Sequence, residues 1–287
     1  MHGSLLTASL LAADLTATVD RPRAEVRGFM LRDVRFFFLL FRNWLEHDLR
    51  DPGSDIDLTQ IRRACEQLAK RHRIAVVPQR RRGPRRPRTR YVLTLAGVVA
   101  LVDELVAWSP HRTFEESLFV VLFAASYRAL VIRRAEQAGA PVARKHVAKT
   151  LDPRAVIAGL RRALAKQLAD LEERMASGDA LFAAAAAGHA RGATDAEILA
   201  ELERISPYQL HHIRPLSELL LALPVDVRRY EIGAGIIARR DLIFAPLLHQ
   251  TRAQQQLLAK LEPVALAIAA ERDIGAMLRA PSRPRTT

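Results

Sequence analysis

At 287 residues, with 49% apolar and 26% charged residues, the chain is globular and long enough for one large core or two smaller ones, with two domains the better expectation. Its 44 Lys and Arg against 31 Asp and Glu give a net charge of +13, which favours a polyanionic partner because neutralising phosphates releases condensed counterions. The single cysteine, Cys65, excludes an internal disulfide framework and any cysteine-based zinc site, and fits a reducing cytoplasm.

The first apolar run, residues 5–13, has no Lys or Arg before it and Asp14 after it, a poor match to a secretory signal. A short helix over 5–15 is expected within an N-terminal arm, residues 1–23. A longer helix is expected over 24–49, where Phe37, Leu40, Phe41, Trp44 and Leu45 recur at three- and four-residue spacing. Asp51-Pro52-Gly53-Ser54 stops it. Asp57 and Gln60 then form a capping box for a helix over 58–71. At ~100° per residue, Leu58, Ile61, Ala64, Cys65, Leu68 and Ala69 gather on one side, and Thr59, Gln60, Arg63, Gln67 and Lys70 on the other. Cys65 therefore reads as a small core residue, not a nucleophile or redox sensor.

Two short β-branched runs, 74–77 and 91–94, flank Arg-Arg-Arg-Gly-Pro-Arg-Arg-Pro-Arg-Thr-Arg at 80–90. Pro84 and Pro87 forbid a helix there and Gly83 frees a turn, so this stretch is expected to be the mobile tip of a β-hairpin. No acidic residue occurs between Gln67 and Val102, while Lys70, Arg71, Arg73 and seven loop arginines supply ten positive charges. A solvated charged insertion gives the same composition; the hairpin-tip position argues against it.

Further helices are expected over 97–107, 113–136 behind the capping box Thr113/Glu116, 152–177 ending at Gly178, 180–190, and 194–205 behind Thr194/Glu197. Gly139 and Pro141 read as a stop. Pro207, Pro215 and Pro224 divide the following chain into short pieces, and a last helix over 238–277 has possible breaks at Pro246 and Pro263. Residues 280–287 form a basic, Pro-rich tail expected to be disordered. The longest apolar run, 118–132, contains Arg128 and is shorter than the ~20 residues that span a bilayer, so no membrane association is expected.

The order helix, capped helix, strand, basic loop, strand, helix over residues 30–107 is that of a winged helix. Its most specific residues are Asp57-Leu-Thr-Gln-Ile-Arg-Arg-Ala-Cys-Glu-Gln-Leu-Ala-Lys-Arg-His72 and Tyr91-Val-Leu-Thr-Leu-Ala-Gly97. They resemble the closing half of MarR-like and PadR-like regulators, where a recognition helix leads to a wing and then to a Tyr-x-Leu-Thr-x-x-Gly step. The resemblance covers about a quarter of the chain. It implies that the helix over 58–71 enters a major groove while wing arginines reach phosphates or the neighbouring minor groove. One feature departs from those families: residues 51–56 are too short for a separate helix between the first helix and the recognition helix.

The expectation is a mainly α chain: a winged-helix DNA-binding domain with a two-stranded wing over 24–110, and an α-helical bundle for association or sensing over 111–279. Thr59, Gln60, Arg63, Gln67 and Lys70 are the candidate groove readers, with Arg80, Arg81, Arg82, Arg85, Arg86, Arg88 and Arg90 the candidate clamp. The expected partners are double-stranded DNA, a second copy in a homodimer, and a small-molecule or protein effector on 111–279. The implied role is a cytoplasmic, nucleoid-associated transcriptional regulator, a repressor. The alternative is a non-catalytic subunit of a chromosome-maintenance, replication or defence complex that grips DNA non-specifically or holds a partner.

No catalytic residue, cofactor or metal is expected. Gly233-Ala-Gly235 lacks a third glycine, adjacent His211-His212 point apart on a helix, and neither His189 nor His249 has a Glu at metalloprotease spacing. Asp226, Glu231 and Asp241 read as ordinary surface charge.

Overall fold

The computed structural model describes residues 3–19, 28–45, 56–77, 89–107, 112–137, 140–205 and 244–278. Among them the chain is mainly helical, with nine helices and one two-stranded antiparallel sheet. It divides into two compact units, residues 1–160 with 258–287, and residues 161–257.

In the first unit, α1 (Gly3–Thr18) comprises most of the stretch set apart in the sequence as an arm, and it is buried along most of its length. Leucine and alanine on every side let it pack against several neighbours at once. The hydroxyls of Ser9 and Thr18 donate to the carbonyls of Leu5 and Asp14, so these buried polar groups remain satisfied away from water, and the exposed Thr16 donates to the Ala12 carbonyl.

The second helix, α2, spans Leu31–Leu45. It does not begin at 24, because Gly28 takes φ 66° and Phe29 pairs with Tyr91 as an isolated antiparallel bridge. The Met30 N–H donates to Asp33 Oδ2 at 2.8 Å and fixes the helix start. Val34, Phe38 and Phe41 are fully buried. The Phe41 ring lies 5.3 Å from Phe119 and 5.9 Å from Phe123, which ties α2 to the helix that carries them.

α3 (Leu58–Lys70) leads to β1 (Ile74–Val76), which pairs with β2 (Tyr91–Leu93) in the register Ile74 to Leu93 and Val76 to Tyr91. α4 (Leu95–Val106) and α5 (Phe114–Gln137) follow; α4 starts two residues before the expected Gly97, capped by Thr94, and α5 has the expected cap at Thr113. α6 (Pro141–Thr150) is an addition to the expected elements. Pro141 opens this helix instead of only stopping the preceding one, since a missing N–H costs nothing in a first turn.

α7 (Pro153–Ala190) runs through Gly178 without a break, because the alanine run beyond it has high helix propensity. Gly192, at φ 71°, follows its end, and α8 (Asp195–Ile205) begins at the Thr194/Glu197 capping box. In the second unit Leu181, Ala185, Ile198 and Leu202 form a small core between these two helices. α9 (Ala245–Leu278) continues through Pro263, and Pro246 falls in its first turn. The expected stops at 51–54 and 207–224, the hairpin tip and the basic tail lie outside the described residues.

Among the described residues no helix is long and apolar enough to cross a membrane.

Candidate nucleic-acid interface

α3 is positioned from its first residue. Asp57 and Gln60 form the reciprocal capping box, with the Asp57 N–H donating to Gln60 Oε1 at 3.4 Å. The hydrogen bond from the Thr59 side chain holds the Asp57 carboxyl below its usual range. Ile61, Cys65 and Leu68 are buried beneath the helix. Burial pushes the Cys65 thiol up to about 12, with the charge of Glu66 adding to the effect. The thiol is therefore an inert core group.

The opposite side is open. Thr59, Gln60, Arg63, Gln67 and Lys70 are all exposed and share this face. Two further exposed side chains flank them, Arg62 and Glu66. Neither was selected from the sequence, although helical spacing places Glu66 between Thr59 and Arg62. A carboxylate there repels phosphate and accepts from an exocyclic amine, so it alters which groups the face can bind.

The turn from α3 into β1 is locked by the step into α4. His72 adopts φ 55°, and its carbonyl accepts from Thr94 Oγ1 at 3.0 Å. The Thr94 N–H donates to the Arg73 carbonyl at 3.0 Å, and Thr94 Oγ1 accepts from the Gly97 N–H at 3.0 Å as the cap of α4. A Cβ at Gly97 would collide with the Arg73 carbonyl. The spacing Thr-x-x-Gly thus has a physical content: the hydroxyl joins two elements and the glycine admits a carbonyl.

The hairpin base is fixed from both edges of β2. One edge pairs with β1; on the other, Phe29 and Tyr91 exchange backbone hydrogen bonds at 2.8 Å. Gly28 must remain a glycine, because a Cβ would sit 2.6 Å from the Tyr91 carbonyl oxygen. Arg90 Nη1 donates to the Gly28 carbonyl at 3.2 Å, and the Val77 N–H donates to the Arg90 carbonyl. Of the seven candidate clamp residues, Arg90 therefore belongs to the base of the hairpin. Arg80, Arg81, Arg82, Arg85, Arg86 and Arg88 lie outside the described residues.

Comparison with family models, with curated proteins and with solved structures returns no match.

Among the described residues no three His, Cys, Asp or Glu side chains are grouped to hold a metal ion. His211 and His212 lie outside them.

Proposed function

We propose that residues 3–107 form a winged helix and that the chain is a double-stranded-DNA-binding transcriptional regulator, a repressor acting as a homodimer. The observation that carries this reading is the amphipathic division of α3: apolar residues buried below, donors and acceptors exposed above, on a helix that leads directly into the arginine-bearing hairpin. The element order supports it. Helix α1, the Phe29 bridge, α2, α3, β1, loop and β2 follow the winged-helix sequence of elements, and α1 supplies the additional helix that residues 51–56 are too short to hold. In this reading Thr59, Gln60, Arg63, Gln67 and Lys70 face base edges, and the loop arginines meet phosphates or a minor groove.

The arginine loop itself favours a second reading. Arginines on a Pro-interrupted loop grip phosphate without reading sequence, as an architectural subunit of a chromosome-maintenance, replication or defence complex requires. Selection of duplexes from a random pool, followed by competition, distinguishes the two. A regulator prefers its selected site over random duplex by ~10³ or more, and substituting Thr59, Gln60, Arg63 and Gln67 by Ala removes that preference. Equal affinity for all duplexes supports the architectural reading, and no duplex binding rules out both.

A further inference from the structure

Away from α3, the first unit contains a cleft of about 220 Å³ between the end of α2, the start of α5, the start of α7 and the middle of α9. Phe119, Ile157 and Leu258 form its floor and are almost completely buried. Two further apolar lining residues, Trp44 and Val264, are 41% and 52% exposed, so they stand at its rim. An apolar occupant reaches the floor past them without unfolding the helices, and removes that rim from water. The Trp44 ring packs 5.1 Å from Phe41 and 6.2 Å from Phe119, between centroids, so the core sets its orientation. α9 is anchored alongside by the ion pair from Arg128 to Asp273 at 2.9 Å.

The chemistry of the walls selects the occupant. Of the described residues lining the cleft, ten carry apolar side chains and two, Glu115 and Glu262, carboxylates. Glu262 already has an interaction partner within the protein. Glu115 is exposed to water in the first turn of α5, where a carboxylate suits the helix dipole. Both carboxylates are thus accounted for without a ligand, and a charged compound would give up its hydration against mostly apolar walls. Size and shape narrow the class further. A cavity of roughly 150 Å³ lined by Leu, Ile and Phe admits benzene, so this larger one has room for a second fused ring. A flat aromatic compound also meets the Trp44 and Phe119 rings in stacked or edge-on contact, which adds to simple apolar burial.

We propose that this cleft binds a neutral, planar aromatic compound of two fused rings, held by apolar contact with the floor and by ring contact with Trp44. Recognition here is by shape and burial, with no ion pair to the ligand. The site goes beyond the reading of α3 and the hairpin, and its occupancy is tested without DNA.

The test is calorimetric titration of the full chain with quinoline, uncharged at neutral pH, and with N-methylquinolinium, the permanently cationic compound of similar shape. Saturable binding of quinoline at one site is expected, with the cation no tighter. Leu261→Trp, at a half-buried position on the α9 wall, should weaken quinoline ~10-fold or more by filling the space of the second ring. Should that variant fail to fold by circular dichroism, Leu118→Trp fills the cleft from α5 with the same expected loss. Trp44→Leu should weaken quinoline several-fold, and Glu115→Gln should leave its affinity unchanged. Absence of saturable quinoline binding, tighter binding of the cation, or full affinity in a folded, filled variant overturns the proposal. Quinoline affinity that falls as protein concentration rises also overturns it, assigning the cleft to a second copy of the chain.

Discussion

Arg134 on α5 and Asp14 on α1 form an ion pair, Nε to Oδ2 at 3.0 Å, and the same two side chains complete the backbone hydrogen bonding of Leu93. The Leu93 N–H donates to Asp14 Oδ1 at 2.7 Å, and its carbonyl accepts from Arg134 Nη2 at 2.7 Å. Two side chains thus continue on β2 what the Phe29 bridge does at Tyr91, closing an edge that would otherwise be unpaired. Replacing Arg134 by Met should cost about 3–5 kcal/mol in urea unfolding, because it leaves a buried carboxylate uncompensated. Asp14→Asn together with Arg134→Met should recover part of that loss, because an amide oxygen still accepts from the Leu93 N–H and no buried charge is left unpaired.

The same pair sets a pH dependence. Burial raises the Asp14 carboxyl above its ordinary value of 3.8, and Arg134 opposes the rise. The folded protein therefore holds this proton more tightly than the unfolded chain, and its contribution to stability declines as pH rises from 3.8 through the folded-state value. Without Arg134 the folded value rises further and the decline extends over a wider range. The destabilisation by Arg134→Met should be larger at about pH 7 than at about pH 4, measured as a difference in unfolding free energy; an equal cost at both would contradict the assignment.

Glycine substitutions should separate by geometry. Gly97→Ala forces a methyl into the Arg73 carbonyl, and Gly28→Ala adds the strain of φ 66° to a close approach, so each should cost at least ~2 kcal/mol. Gly159→Ala, in the interior of α7 with open space around it, should instead stabilise by ~0.5–1 kcal/mol. Thermal unfolding of the three variants decides this.

Cys65, fully buried with its thiol pushed up to about 12, should resist a thiol reagent at about pH 8 in the folded protein and react at once in urea. Rapid labelling of the native chain would place the thiol at the surface.

Local signals carried much of this fold. The capping boxes at Asp57/Gln60, Thr113/Glu116 and Thr194/Glu197 mark three helix starts, and the apolar face of α3 is readable from Ile61, Cys65 and Leu68. What escaped the sequence has no period. A helix over 5–15 is expected, but α1 is apolar all round and shows no stripe to mark its burial, and the Phe29 bridge is a single residue embedded in an expected helix. The Asp14 and Arg134 pair joins residues 120 apart, and the Trp44 cleft gathers four helices. The polar face of α3 is legible from its period, and the same spacing places Arg62 and Glu66 on it.

The hairpin arginines are proposed to grip DNA phosphates, a grip that both functional readings require. Its most direct measurement is the salt dependence of random-duplex binding by the native chain and by a variant with Arg80, Arg81, Arg82, Arg85, Arg86 and Arg88 changed to Ala. Arg90 is retained because it supports Gly28 at the hairpin base. Removing one arginine–phosphate pair should reduce the slope of log affinity against log salt by about 0.9, so the variant should bind weakly with a slope reduced by several. An unchanged affinity and slope in the folded variant would contradict the account.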